Sequence, residues 1–209
     1  MIRLYLIRHG ETDWNIVRRF QGWTDIELNE KGLRQAELLG KRFENIPVDE
    51  VYASPLKRAV KTALPVAKAA GVELKTCEHF KEINFGAWEG KTRDELVEEY
   101  GELFNEFLTH PQQMTFPGNV GDGSFAAVER RIKKGFDEIL EGKDDVKIAV
   151  VSHGGIIRLM IKYLLGIEED LYNSTWIDNT SISVVDVRKN GNILRVLNDC
   201  SHIPDNGIL

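Results

Sequence analysis

Apolar positions along the chain fall into two periods. Short apolar runs, Ile2 to Ile7, Val51 to Ala53 and Lys147 to Ser152, predict buried strands. Between them, stripes at helical spacing predict helices: Leu33, Ala36, Leu39 and Phe43 behind an Asn29 cap, then Phe125, Val128, Ile132 and Ile139 behind a Ser124 cap. A third stripe, Ile156, Ile157, Met160, Ile161, Leu164 and Leu165, follows Ser152 at once. Ser54-Pro55 reads as the cap and first position of a helix that Gly71 closes, with Pro65 kinking or splitting it. Val72 to Thr76 is a further short strand, and Leu96, Tyr100, Leu103 and Phe107 keep a helical stripe despite Gly101. Ile182 to Val187 and Ile193 to Leu197 flank Asn190-Gly191 as a hairpin. Strands alternating with helices, without repeat or linker, predict an α/β fold in one domain over residues 1–209. Residues His110 to Gly123 make a long loop, so the segment at about 92–123 is expected to be a lid or insert, and Pro204 to Leu209 a loose tail.

Bulk properties then exclude several classes. A chain of 209 residues can bury a real core without disulfide staples. No window approaches the ~18 uncharged apolar residues that span a bilayer, so no membrane partner is expected. The N-terminus lacks a secretory signal, which predicts a cytoplasmic protein. Cys77 and Cys200 are isolated and form no disulfide framework. A net charge of -6 argues against nucleic acid, whose binders need a basic face. Any local positive cluster is therefore informative.

Ligands of open α/β sheets bind beyond the carboxyl ends of the strands. Three such ends carry polar groups: Arg8-His9-Gly10, Ser54-Pro55 leading to Arg58, and His153-Gly154-Gly155. Arg58 falls in the first turn of its helix, where the dipole disfavours a cation, so an anion such as phosphate is the natural compensation. Taken singly, Arg58 also reads as a solvent-facing arginine and His153 as a hydrogen-bonded core histidine. The glycines beside both histidines suggest backbone brought close to a ligand. His9, His79, His110, His153 and His202 show no H-x₃-H spacing and no cysteine partners, so no metal site and no cofactor is expected.

The ordered set Leu6-Ile7-Arg8-His9-Gly10-Glu11-Thr12 with Asn15, Ser54-Pro55-Leu56-Lys57-Arg58-Ala59, Glu82 to Gly90, and Ser152-His153-Gly154-Gly155 resembles the histidine phosphatase superfamily, also called phosphoglycerate mutase-like. The resemblance spans residues 2 to about 202. It implies a three-layer α/β/α sandwich around a mainly parallel sheet and a small-molecule phosphomonoester substrate. It makes His9 the nucleophile, Glu82 the general acid, and Arg8, Arg58 and His153 the phosphate pocket, with Asn15, Gln21 and Gly22 on the substrate side.

Attack on phosphorus needs an unprotonated ring nitrogen, so His9 is expected to stay neutral. Arg8 and Arg58 disfavour its imidazolium, and a backbone carbonyl can hold the proton on the other nitrogen. Glu82 must carry a proton for the leaving alkoxide, which calls for a raised pKa. Phosphoglycerate mutase is the main alternative. A mutase needs cations for a second anionic group, yet no lysine or arginine occurs from Asp94 to Glu129. The sequence after Glu82, Ile83-Asn84-Phe85-Gly86, also resembles the phosphatase branch. A non-catalytic module binding phosphorylated ligands is the further alternative, though binding alone needs neither His9 nor Glu82. Trp88, Phe104, Phe107, Met114 and Phe116 read as core or as an apolar lid over a hydrophobic leaving group. Candidate substrates are alpha-ribazole phosphate or a broad range of small phosphomonoesters. Asp122-Gly123-Ser124 departs from the Gly-Glu-Ser of many relatives. The hairpin edge is where a second copy could pair into a homodimer.

Overall fold

The computed structural model describes residues 1–119, 123–168 and 171–204. Among them, six strands form one mixed sheet: β1 (Ile2–Arg8), β2 (Glu50–Ala53), β3 (Leu74–Thr76), β4 (Lys147–Ser152), β5 (Ile182–Val187) and β6 (Ile193–Asp199), in spatial order β3-β2-β4-β1-β5-β6. The first four are mutually parallel, and β5 and β6 add an antiparallel edge.

Both faces of the central strands are covered, which is why they read as unbroken apolar runs rather than alternating ones. Leu4 and Leu6 of β1 point into one layer, Tyr5 and Ile7 into the other. On the second face lie α2 (Glu30–Phe43) and α3 (Lys57–Ala70), where Ala59, Ala63 and Ala67 let the backbone approach the sheet. The opposite face carries α5 (Phe125–Leu140) and α6 (Gly154–Leu165), and beyond them α4 (Arg93–Thr109) closes an aromatic cluster around Trp88, Phe104, Phe107 and Phe116. A four-residue helix, α1 (Asp13–Ile16), follows β1. The result is the three-layer α/β/α sandwich.

Several expectations need correction. Ser54 does not cap α3: the helix starts at Lys57 with Leu56 as its N-cap and no side-chain capping bond. Pro65 does not split it. Lys61, whose carbonyl loses its helical donor, is exposed, so water can take that place. Leu33 is 45% exposed, and the buried stripe of α2 runs through Gly32, Gln35, Ala36, Leu39 and Phe43. α4 bends at Gly101, whose φ of 42° and ψ of -105° are not helical. The expected loop from His110 contains a 3₁₀ turn, Pro111–Gln113, and a bridge between Thr115 and Ser124. Met114 and Phe116 within it are buried core, as are Trp88, Phe104 and Phe107. Asp122 lies outside the described residues, as does the expected tail beyond Pro204. Among the described residues no helix is long and apolar enough to cross a membrane.

Candidate active site

The register of two parallel strands brings the histidines together. Arg8 of β1 pairs with Ser152 of β4, and the His9 N–H donates to the Ser152 carbonyl at 2.9 Å. The residues one step beyond each strand end therefore stand side by side, with His9 and His153 ring centroids 5.2 Å apart.

Hydrogen bonds define the tautomers. His9 Nδ1 lies 2.7 Å from the Gly10 carbonyl, which can only accept, so Nδ1 carries the hydrogen and Nε2 keeps its lone pair. Arg58 Nε donates to His153 Nδ1 at 3.3 Å, so the His153 proton sits on Nε2 and is donated to Ser54 Oγ at 2.8 Å. Burial, followed by the charges of Arg58 and Arg8, holds His9 well below the ordinary histidine pKa. His153 is held down likewise, by burial and then by Arg58.

Arg58 is fully buried, in the first turn of α3. Its Nη1 donates to the Thr24 carbonyl at 2.8 Å and its Nη2 to the Gly22 carbonyl at 2.7 Å. With the bond to His153, three of five N–H donors have partners among the described residues, which leaves one on each terminal nitrogen for a ligand oxygen. Arg8 donates Nη1 to the Ile177 carbonyl at 2.6 Å, and its buried Nε has no partner among the described residues. Burial pushes both guanidinium groups down to about 10, so both remain charged at neutral pH. Among neighbouring charges, Glu82 does most to offset this burial at both arginines.

Glu82 is buried and sits at the N-terminus of α6. Its Oε1 accepts from the N–H groups of Ile83 (2.9 Å) and Ile156 (3.2 Å), and its Oε2 from that of Gly155 (3.3 Å). A Cβ at position 155 would lie 2.7 Å from Oε1, so the glycine there makes room for the carboxylate. The space at Gly10 is taken by the chain itself: a Cβ there would lie 2.6 Å from the Gly32 carbonyl of α2.

The remaining predicted residues take different places. Asn15 closes a capping box with Thr12, and Asn179 Nδ2 reaches both the His9 carbonyl (2.9 Å) and Asn15 Oδ1 (3.4 Å). Gln21 is buried, and its Oε1 has no partner among the described residues. Gly22 acts through its carbonyl on Arg58. Sequence reasoning missed four groups. Ser54, read as a helix cap, instead holds His153. Thr62, one turn after Arg58, receives the Gly10 N–H at 2.9 Å and donates to the Arg58 carbonyl at 2.7 Å; a buried threonine among alanines was the signal. Arg131 reaches the carbonyls of His79, Lys81 and Glu82 from α5, and nothing local marks it. Glu89 lies within the Glu82 to Gly90 segment, where nothing in the local sequence assigns it a role.

A family model described as the histidine phosphatase superfamily, branch 1, matches residues 4–200. Phosphoserine phosphatase 1 of Hydrogenobacter thermophilus is 35% identical over 203 residues, covering 97% of this chain and 95% of that protein. A protein described as a probable phosphoglycerate mutase, from Erwinia tasmaniensis, is 31% identical over 214 residues, covering 100% of this chain and 98% of its own length. The crystal structure of a phosphoserine phosphatase from Entamoeba histolytica, in complex with 3-phosphoglyceric acid, superposes with a TM-score of 0.84 at 33% identity, covering 97% of this chain and 99% of that one.

Proposed function

The chain belongs to the histidine phosphatase superfamily and is a phosphoric monoester hydrolase, and on that premise we propose that His9 is its nucleophile and Glu82 its general acid. One observation carries the reading. A neutral histidine keeps a free Nε2, its ring 5.2 Å from that of a second histidine, and is held neutral beside two buried arginines that stay charged.

Nε2 of His9 attacks phosphorus as the ester P–O bond breaks. Arg8 and Arg58 hold the equatorial oxygens, where negative charge gathers, and His153, whose ring nitrogens are taken by Arg58 and Ser54, orients Arg58 behind them. The phosphate dianion that binds beside Glu82 favours its neutral form by like-charge repulsion, and the departing alkoxide takes that proton. Glu82 then removes a proton from water, the water oxygen attacks phosphorus, the N–P bond breaks, and His9 and inorganic phosphate are released. Asn15 and Gln21 are assigned to the substrate side, and Gly22 supports Arg58 through its carbonyl.

The substrate class is small phosphomonoesters, with phosphoserine first in a panel because of the relative noted above, and alpha-ribazole phosphate and 3-phosphoglycerate beside it. Hydrolysis is favoured over mutase chemistry because the segment from Asp94 to Glu129 has no cationic side chain for a second anion. Incubation with 3-phosphoglycerate and 2,3-bisphosphoglycerate separates the two: rapid isomerisation with little free phosphate is the mutase result.

The chain works as one domain. We assign a lid or insert to the segment at about 92–123, of which residues 117–119 pack against the stretch after the acid: Asn119 Nδ2 donates to the Asn84 carbonyl at 2.6 Å and the Ala87 N–H to the Pro117 carbonyl at 2.8 Å. The outer edge of β6, with Val196 and Leu197 exposed, is the surface on which a homodimer would form, and the cytoplasm is the compartment proposed. His9→Ala is the decisive variant. It should lose phosphate release from p-nitrophenyl phosphate, and retained turnover would end the proposal.

A further inference from the structure

Glu89 takes no part in the chemistry just described, yet its carboxylate is the acceptor for one whole loop. Oε1 accepts from the N–H groups of Trp23 (2.9 Å) and Phe85 (3.2 Å). Oε2 accepts from the N–H (2.9 Å) and the hydroxyl (2.6 Å) of Thr24. Gly22, in the left-handed region at φ 53°, leaves the space this carboxylate fills: a Cβ there would lie 2.0 Å from Oε1.

The other side of the same loop faces Arg58. The carbonyls of Gly22 and Thr24 accept from its two terminal nitrogens, so Thr24 offers its N–H to Glu89 and its carbonyl to Arg58. An anion on one side and a cation on the other thus orient the peptide groups between them. Trp23, within this loop, donates Nε1 to the Glu82 carbonyl at 2.7 Å, which ties the loop to the backbone of the general acid.

We propose that Glu89 is a positioning residue that, through the Gly22 and Thr24 carbonyls of residues 22–24, sets the Arg58 guanidinium. The proposal rests on the phosphatase reading above. An ionised carboxylate suits the task because it accepts at both oxygens, whereas a glutamine must turn its NH₂ toward groups that are themselves donors. Glu89 acts on the substrate only through Arg58, so its effect should vanish once Arg58 is gone.

The test is a double-mutant cycle between Glu89→Gln and Arg58→Ala. It is read as kcat/KM for p-nitrophenyl phosphate and as the dissociation constant for inorganic phosphate. Glu89→Gln alone should lower kcat/KM by about 10²-fold, the cost of misplacing a catalytic group by about an ångström. It should weaken phosphate binding in the same direction. In the Arg58→Ala background the same change should cost less than about threefold. Equal losses in both backgrounds would mean a general structural role and overturn the proposal, as would wild-type affinity and turnover in Glu89→Gln. Should Glu89→Gln fail to fold by circular dichroism, Thr24→Val, which removes only the 2.6 Å bond, enters the same cycle with a smaller loss expected and the same criterion. Phosphate binding needs no turnover. If wild type does not hydrolyse the ester, the catalytic reading falls while the binding cycle still tests Glu89.

Discussion

The two halves of the site are held by different means. The half at the ends of β1 and β4, with Arg8, His9 and His153, takes its backbone geometry from the sheet: a continuous parallel register from Arg3↔Lys147 to Arg8↔Ser152 sets the two histidines side by side, and Ser54 and Arg58 then fix the His153 ring. The half built from loops 21–25 and 82–89, which orients Arg58 and Glu82, has no ladder. It is held by polar side chains reaching across the chain, Glu89 and Trp23 from the loops themselves and Arg131 from α5. Register is cooperative and resists a single substitution, whereas a polar clamp has one or two atoms to lose. The nucleophile half should therefore fail only when a reacting group is removed, and the acid half through residues that touch no substrate.

His9→Ala should have the largest effect, a fall in kcat of at least ~10⁴-fold, as is usual when a nucleophile is deleted. Glu82→Gln comes next and sharpens the assignment. It should cost ~10²- to 10⁴-fold on an alkyl ester such as phosphoserine. In kcat/KM, which reads only the transfer to His9, the cost should be much smaller on p-nitrophenyl phosphate, whose phenolate leaves without a proton. Equal losses on both would remove Glu82 from the acid role. Gly155→Ala should follow, at roughly tenfold in kcat and with fold stability little changed, because the new methyl would meet Glu82 Oε1 at 2.7 Å. Unchanged activity there would mean that the carboxylate position is not critical.

The smallest effect is on stability against pH. Burial and the arginines hold His9 and His153 well below 6.5, so in acid the unfolded chain binds protons that the folded chain does not. Stability is thus full above about pH 6.5 and falls as pH drops through it, by about 1.4 kcal/mol per pH unit for each histidine. Thermal melts between pH 7 and 5 should show this, with a shallower slope in His9→Gln; identical slopes would mean that His9 is protonated in the fold.

Legibility followed the same division. The nucleophile half was readable because each of its residues directly follows a buried apolar run, and the run itself marks the strand end. Arg58 was readable as a cation where the helix dipole disfavours one. The acid half was legible only where it resembled a family: Glu82 stands before a 3₁₀ turn with no periodic element to place it, and Glu89 looks like any half-buried glutamate. Ser54 was misread because a serine before a proline satisfies the local rule for a helix cap. The helix begins three residues later, and that hydroxyl goes to His153, far away in the chain. Leu33 was misread because periodicity locates a stripe to within one position, while the packing of Gly32 and Gln35 against the Gly10-Glu11 turn chose its centre.

By itself, the sequence determined the layered α/β architecture, the strands buried on both faces, and the identity of the groups able to handle a phosphate. These depend on hydrophobic burial and on local backbone preferences, whose signals lie within a few residues of each other. Only the tertiary structure decided which ring nitrogen of each histidine is free, which carbonyls turn Arg58, and what holds the acid. Those outcomes depend on directional hydrogen bonds between segments far apart in sequence, and such bonds acquire partners only after the chain has folded.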